Sequence, residues 1–342
     1  MARATIVVTQ RERFGMTQES LEDLRAHTPG VPIVYVDGKS PAKTAHYLKE
    51  RADAGEITLL RRERFLTPNQ ARNIGAAAVD TDYIVFVDND VLYTEGWLDR
   101  LIACADETQA DVVAPLTCQG LPAHTEIHHA GGDYAAGGDM AGFFANDPEQ
   151  GRQFEEVMHG HAEKVADWQD RLERTETGMS EFHCALVRRS TFEKVGGLDE
   201  KMLSTKEHID FCMTVKQAGG SVWFEPSSVI TYVFPCRARP METADWPFFA
   251  LRWSNAHGVR SLEHFIAKWK LRPDPGYVQG KKGIYAMRRN QGILVPLYRM
   301  VPGLNRSDWL TRKAARASMF PERLINNVLV ALDDRRSRRI TE

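Results

Sequence analysis

The run Tyr83-Ile84-Val85-Phe86-Val87-Asp88-Asn89-Asp90 decides the fold. Its apolar and aromatic residues show no polar alternation, which is how a strand buried on both faces of a parallel sheet reads. The strand ends abruptly in two carboxylates one residue apart, and ligands of open α/β sheets bind beyond the carboxyl ends of the strands. Asp88 and Asp90 therefore stand where a ligand is expected. Paired carboxylates there supply hard oxygen atoms to Mg²⁺ or Mn²⁺, ions that keep further positions for substrate phosphates. Asp and Asn also favour turns, so the triplet taken alone fits a plain loop equally well.

Working outward, Thr5-Ile6-Val7-Val8-Thr9 predicts a short apolar strand. Residues 17–27 predict a helix with Thr17 as N-cap and Leu21 and Leu24 on its apolar face. A second buried strand over Val31 to Val36 closes with Asp37-Gly38-Lys39-Ser40-Pro41. Strand, helix and strand in this order are the signature of a parallel sheet. The first loop lacks both GxGxxG and a glycine-rich turn ending in GK[ST], which removes the dinucleotide and P-loop readings. The stretch Thr67 to Ala78 predicts a helix that delivers Arg72 and Asn73 just before the DND strand.

After Asp90 a helix begins near Glu95, and Asp111 to Leu116 reads as another strand. Residues 118–165 turn irregular, with His124, His128 and His129 among glycines. Clustered histidines can hold a metal, but two of these are adjacent and the stretch is rich in glycine. The stretch is expected to be a mobile loop over the site, followed by a polar, exposed segment over 146–176. Order is predicted to return at 181–189. It continues through Val195-Gly196-Gly197-Leu198-Asp199-Glu200, then an amphipathic helix from Lys206 to Gly219 that carries Glu207 and Asp210 on one face. Strands over 222–226 and 229–234 are expected to finish the sheet.

The succession Ala71-Arg72-Asn73-Ile74-Gly75, apolar strand, DND, then VGGLDE resembles the GT-A glycosyltransferases of family 2, over roughly residues 4 to 235. The resemblance implies an α/β fold: a Rossmann-like, mostly parallel sheet sandwiched by helices, with a helical basic C-terminal extension. The implied division is 1–240 for the glycosyltransferase domain, with 118–180 as its acceptor-side loop region, and 241–342 for the extension. It further implies transfer of a sugar from a UDP-sugar donor to a hydroxyl acceptor, a glycan or lipid-linked saccharide, with inversion and dependence on Mn²⁺ or Mg²⁺. Thr9 and Asp37 then belong near the uracil, Arg72, Asp88 and Asn89 at the nucleotide, and Asp88 and Asp90 at the metal. Family members typically read GEDxDL where this chain has Lys206-Glu207-His208-Ile209-Asp210-Phe211, so His208 replaces the Asp that serves as base. The base is expected among His208, Asp210 and Glu207, in that order. Tyr232 stands where many relatives place a metal-binding His, which leaves the diphosphate, His208 or His257 to complete the metal shell. Two other classes remain: a degenerate domain that binds nucleotide or glycan without turnover, and a sugar-1-phosphate nucleotidyltransferase. The second would need a glycine-rich basic loop after the first strand, where only Gly15 occurs.

Composition bounds these readings. With 43% hydrophobic and 26% charged residues the 342-residue chain is ordinary globular protein. It has no apolar run near membrane-spanning length and no signal-peptide pattern at Met1. Five scattered cysteines without CxxC spacing argue against a disulfide framework or a zinc site, which points to the cytoplasm. Charge is unevenly placed: residues 251–342 carry 19 Lys and Arg against 7 Asp and Glu, whereas residues 1–250 carry 25 against 39. The extension also holds Trp246, Phe248, Phe249, Trp253, Phe265, Trp269, Tyr277, Tyr285, Tyr298 and Trp309. Helices packing on the main domain need such aromatics. So does a segment lying on the inner face of a membrane. No nucleic-acid partner is expected.

Overall fold

A computed structural model describes residues 2–135, 138–145, 151–233, 241–272, 288–301 and 303–341. The parallel half of its main sheet is β1 (Ala4–Thr9), β2 (Ile33–Gly38), β3 (Thr58–Arg62) and β4 (Tyr83–Asp88), joined by α1 (Thr17–His27), α2 (Ala42–Asp53) and α3 (Pro68–Ala76). Beyond β4 come β5 (Val91–Tyr93), α4 (Trp97–Thr108) and β6 (Val112–Gln119), then the short β7 (Ile127–His129), β8 (Gly132–Ala135) and α5 (Met140–Ala145). β9 (Phe154–Met158), α6 (Val165–Trp168) and β10 (Thr175–Glu176) lead to β11 (Cys184–Arg188), α7 (Arg189–Lys194), α8 (Glu207–Gln217) and β12 (Val222–Tyr232). The long path of the sheet runs β10-β12-β6-β11-β4-β1-β2-β3.

β4 lies at the centre of this order. Its side chains alternate between two cores, as the period of two requires. Ile84 and Phe86 join Val7, Phe182, Val187 and Phe211 on one face, while Tyr83, Val85 and Val87 join Leu21, Leu24, Trp97 and Leu101 on the other. The sheet is mixed, because β11 runs antiparallel to both β4 and β6. That reversal matters for the site: the residues entering β11 arrive at the edge where β4 exits. Asp88 N–H donates to His183 O at 3.2 Å, and Cys184 pairs with Val87.

Two glycine positions hold the edge together. A methyl group on Gly75 would lie 2.3 Å from a Val7 methyl and 3.0 Å from one of Val36, so α3 packs on β1 and β2 with no room for a side chain. Gly196 and Gly197 both take positive φ, 81° and 79°, which L-residues with a Cβ avoid. Their turn presents Leu198 to Asn73, whose amide accepts from Leu198 N at 2.9 Å and donates to Leu198 O at 2.8 Å. The Ala71-Arg72-Asn73 and Gly196-Gly197-Leu198 segments thus grip each other.

Several expectations are corrected. Thr17 is the first residue of α1 and not its cap. Met16 holds the cap position without a side-chain bond, and the Thr17 hydroxyl instead contacts Tyr35 Oη at 3.2 Å and accepts from Asn89 at 3.0 Å. The stretch 118–165 is no loop, because β7, β8 and β9 run through it, with β7 added to β6 and β8 paired to β9. The strands predicted at 222–226 and 229–234 are one, β12, with an irregularity between Glu225 and Val229. Phe234, Cys236, Tyr277 and Tyr285 lie outside the described residues.

After β12 come α9 (Trp246–Arg252), α10 (Asn255–Trp269), α11 (Val295–Met300), α12 (Asp308–Ala317) and α13 (Met319–Thr341). α10 lies on the main domain: Phe265 and Trp269 are buried in the same core as Phe211. Among the described residues no helix is long and apolar enough to cross a membrane.

Candidate active site

Thr9 and Asp88 end β1 and β4, and Asp37 stands one residue before the end of β2, all on one edge of the sheet. Asp37 is fully buried and crowded with donors. Its Oδ1 accepts from Gln10 Nε2 at 2.7 Å and Ser40 N at 2.9 Å, while Oδ2 accepts from the Ser40 hydroxyl at 2.9 Å and from Arg61. Asn89 faces the other way. It accepts from Arg11 N at 3.1 Å and donates to Arg13 O at 2.6 Å, so it clamps the loop after β1.

Asp88 is the electrostatic hub. Arg72 donates to its Oδ1 at 3.1 Å, and Oδ2 has Arg11 Nη1 at 3.4 Å and His183 Nδ1 at 3.1 Å. The Arg72 guanidinium lies over the Phe182 ring, 4.3 Å from its centroid, with Nε and Nη1 making no hydrogen bond. Burial lowers its pKa, and Asp88 opposes that shift.

Asp90 differs from its neighbour. It is fully buried, yet neither carboxylate oxygen makes a hydrogen bond, and Arg13 Nη2 stands 4.0 Å away. Burial pushes its pKa up to about 8. A buried carboxylate without partners costs several kcal/mol when charged, so such a group either keeps its proton or meets a cation. Asp88, Asp90 and His183 can each aim one ligand atom at a common point. His183 has the character of a metal ligand. It is fully buried, neither ring nitrogen makes a hydrogen bond, and burial followed by Arg11 drives its pKa well below the ordinary value, leaving the neutral imidazole that metals require. Tyr232 stacks on it at 3.8 Å between centroids and 24° between planes, and Arg11 covers the Tyr232 ring at 5.4 Å. The donor set, two carboxylates and a neutral imidazole, fits a divalent cation.

A second group adjoins the first. His128, Glu181 and His183 converge, as do Glu156, Glu181 and His208. Gln119 Oε1 lies 3.0 Å from His128 Nδ1, and the His128 and His183 rings meet edge to face at 5.0 Å. His208 Nε2 is 3.2 Å from Glu181 Oε1 and 3.7 Å from Glu156. Burial lowers the His208 pKa, with Glu181 and Glu207 working against it. The two acids of α8 are engaged elsewhere: Arg252 donates to Glu207 at 2.8 Å, and Asp210 accepts from Lys268 at 2.8 Å and from the Trp269 indole at 2.7 Å. His257 lies in a different cleft of about 220 Å³, with Phe65, Phe248 and Asp334.

The structure therefore gathers Asp88 and Asp90, and near them the unforeseen His183 and Glu181 together with His128, one of the clustered histidines of the sequence. Glu181 and His183 sit in the stretch entering β11, and only the antiparallel pairing brings them to this edge. The available signal was a histidine and a glutamate flanking Phe182 at the start of an otherwise apolar strand.

Comparison with known proteins gives the fold and the family. The pre-mycofactocin glycosyltransferase of two Mycobacterium tuberculosis strains is 23% identical over 230 residues, 67% of this chain and 42% of the relative. This chain thus spans about two fifths of the length of the curated relatives it matches. A crystal structure of GalNAc-T7 with UDP, GalNAc and Mn²⁺ superposes with a TM-score of 0.52 at 13% identity, covering 86% of this chain and 58% of that one. The mannosyltransferase PcManGT of Pyrobaculum calidifontis, solved with GDP-Man and Mn²⁺, gives a TM-score of 0.48 at 13% identity over 97% of this chain and 87% of its own. The fold is GT-A. Residues 5–196 match the description of glycosyl transferase family 2, which covers the central strand, the DND edge and the Gly196 turn, and the chain belongs to that family.

Proposed function

We propose that the protein transfers a sugar from a UDP-sugar to a hydroxyl of a glycan or lipid-linked saccharide, by a single in-line displacement with inversion. The observation that carries this reading is Asp90, a buried carboxylate without a hydrogen bond beside Asp88 and His183 at the ligand edge. These three residues would hold the divalent cation, and the imidazole among them favours Mn²⁺ over Mg²⁺. A cation there offsets charge gathering on the departing diphosphate. Arg72 and Arg11, already aimed at Asp88, would turn to the phosphates, since a guanidinium matches phosphate geometry. Thr9 and Asp37 would border the uracil, with Asp37, already satisfied by Gln10, Ser40 and Arg61, holding the strand-end loop that receives the base.

His208 is the proposed base. Its neutral imidazole can take the acceptor proton, and Glu181 at 3.2 Å can steady the cation that results. Glu207 and Asp210 rank after it, because each carboxylate is already bonded to another element of the chain. The proposed division is a transferase domain over 1–240 and an extension over 241–342. The proposed compartment is the cytoplasm, in keeping with four free buried cysteines.

A panel of UDP-, GDP- and dTDP-sugars, with and without Mn²⁺, tests the reading by thermal shift and by slow donor hydrolysis. A Mn²⁺-dependent shift with UDP-sugars and release of UDP is the expected result. No shift with any donor would remove the proposal. Binding with no UDP release in any condition favours a nucleotide-binding domain without turnover, a reading motivated by His208 and Tyr232 at positions where relatives carry Asp and His.

A further inference from the structure

The last helix is built inside out. On α13, Glu322, Asn326 and Val330 are buried, while Phe320, Leu324, Ile325, Val328 and Leu332 are exposed, Phe320 by 78% and Leu324 by 56%. At about 100° per residue those five outward side chains occupy roughly 140° of the helix circumference. Polar groups do the anchoring. Asn326 donates to Ala250 O at 2.8 Å and accepts from Asn255 N at 3.3 Å, and Arg288 donates to Glu322. Among the described residues eleven large apolar side chains are exposed, and nine of them fall between Met300 and Leu332. A patch so concentrated marks an interaction surface, whereas scattered exposed apolar residues need no explanation.

We propose that the outward face of α13 docks the protein on an anionic lipid bilayer. Charge selects this occupant. Two of the three acids of the helix turn to intrachain partners, Glu322 to Arg288 and Asp334 to Arg260 at 3.2 Å. The helix adds Arg323 and Arg335 and continues in sequence through Arg336, Arg338 and Arg339, while the preceding α12 exposes Arg312, Lys313 and Arg316 with Trp309. An apolar arc flanked by cations and aromatics is the pattern of a helix lying in the plane of a membrane interface, with cations at the headgroups. A second copy of the chain would bring the same cations face to face, and like charges there oppose association. This docking does not depend on which donor the sheet edge binds.

Co-sedimentation of the full chain with vesicles tests it, comparing phosphatidylcholine with the same lipid containing about a third phosphatidylglycerol. The chain should pellet with anionic vesicles at least about tenfold more strongly than with neutral ones. Binding should weaken as salt rises, since the screening length falls from about 10 Å at 0.1 M to about 3 Å at 1 M. Leu324→Gln with Val328→Thr should cut binding at least tenfold without changing the melting temperature or donor hydrolysis. Phe320→Ser, at the most exposed position, should weaken binding in the same direction with no risk to the packed face. The proposal falls if the full chain stays in the supernatant at low salt, or if these variants pellet like the parent. It falls equally if sedimentation equilibrium shows a dimer that Leu324→Gln with Val328→Thr dissociates, because a second copy is then the occupant.

Discussion

Two pairs of buried carboxylates differ in how fully the chain satisfies them. Glu207 and Asp210 open α8 and are bonded by Arg252, Lys268 and Trp269, residues of the C-terminal helices. Asp88 ends β4 and already accepts from Arg72, whereas neither side-chain oxygen of Asp90, two residues on, makes a hydrogen bond. Burial alone does not distinguish a brace from a binding group. The supply of intrachain donors differs: a carboxylate with a cation and an indole N–H around it is spent on the fold, and one left bare either keeps its proton or meets a cation.

The largest effect that can break this comparison is on turnover. His208→Ala should lower the rate constant by roughly 10² to 10⁴ while UDP affinity stays near normal, because a base acts on the acceptor proton in the transition state. His208→Asp should recover part of the rate. Near-normal turnover in His208→Ala with a dead Asp210→Asn would make Asp210 the base and dissolve the contrast.

Next in size is stability. Glu207→Ala strands the buried Arg252 guanidinium and should cost about 3–5 kcal/mol in urea unfolding. Asp210→Ala leaves Lys268 partly in solvent and should cost less, roughly 2–3 kcal/mol. If both variants unfold like the parent, these acids are not braces.

His257 provides a comparison away from both pairs. Burial first, then Arg260 and Arg252, lowers its pKa from 6.5 to about 4. Between those values the unfolded chain binds a proton that the fold refuses, so stability is lost as pH falls from 6.5 towards 4 and levels off below. The loss is roughly 3 kcal/mol at about 1.4 kcal/mol per unit. His257→Gln should remove this part of the acid limb in urea melts at pH 7 and 4.5, and an unchanged limb would refute the neutral buried imidazole.

The smallest change in stability belongs to Asp90. With its pKa pushed up to about 8, the carboxyl holds its proton at neutral pH in the absence of a cation. Asp90→Asn should therefore unfold within about 1 kcal/mol of the parent, as a near-isostere without a new unpaired charge. The same variant should lose the Mn²⁺-dependent thermal shift with UDP. A retained shift would place the cation elsewhere.

Much of the fold was legible because its signals are local. Tyr83 to Val87 reads as a doubly buried strand from composition alone, and Gly75, Gly196 and Gly197 sit in motifs whose spacing is contained within a few residues. The DND edge followed from the rule that ligands gather at strand exits. Thr17 escaped the reading because its hydroxyl was assigned to the nearest helix, whereas the fold spends it on Asn89, 72 residues away. The histidines of 118–165 misled for a related reason: β7 to β9 pair through contacts that no periodicity in that stretch announces.

By itself, then, the sequence determined the central strand, the alternation that makes the sheet, the two carboxylates at the strand exit and the basic character of the C-terminal region, all consequences of neighbouring residues along the chain. Tertiary structure alone decided the rest. It ran β11 antiparallel, which carried His183 and Glu181 to the exit of β4. It laid Lys268 and Trp269 against Asp210, and it turned Glu322 and Asn326 inward so that Phe320, Leu324 and Val328 face out. Each of these outcomes depends on which distant group supplies a hydrogen bond or a burial surface, and that supply exists only once the chain has closed on itself.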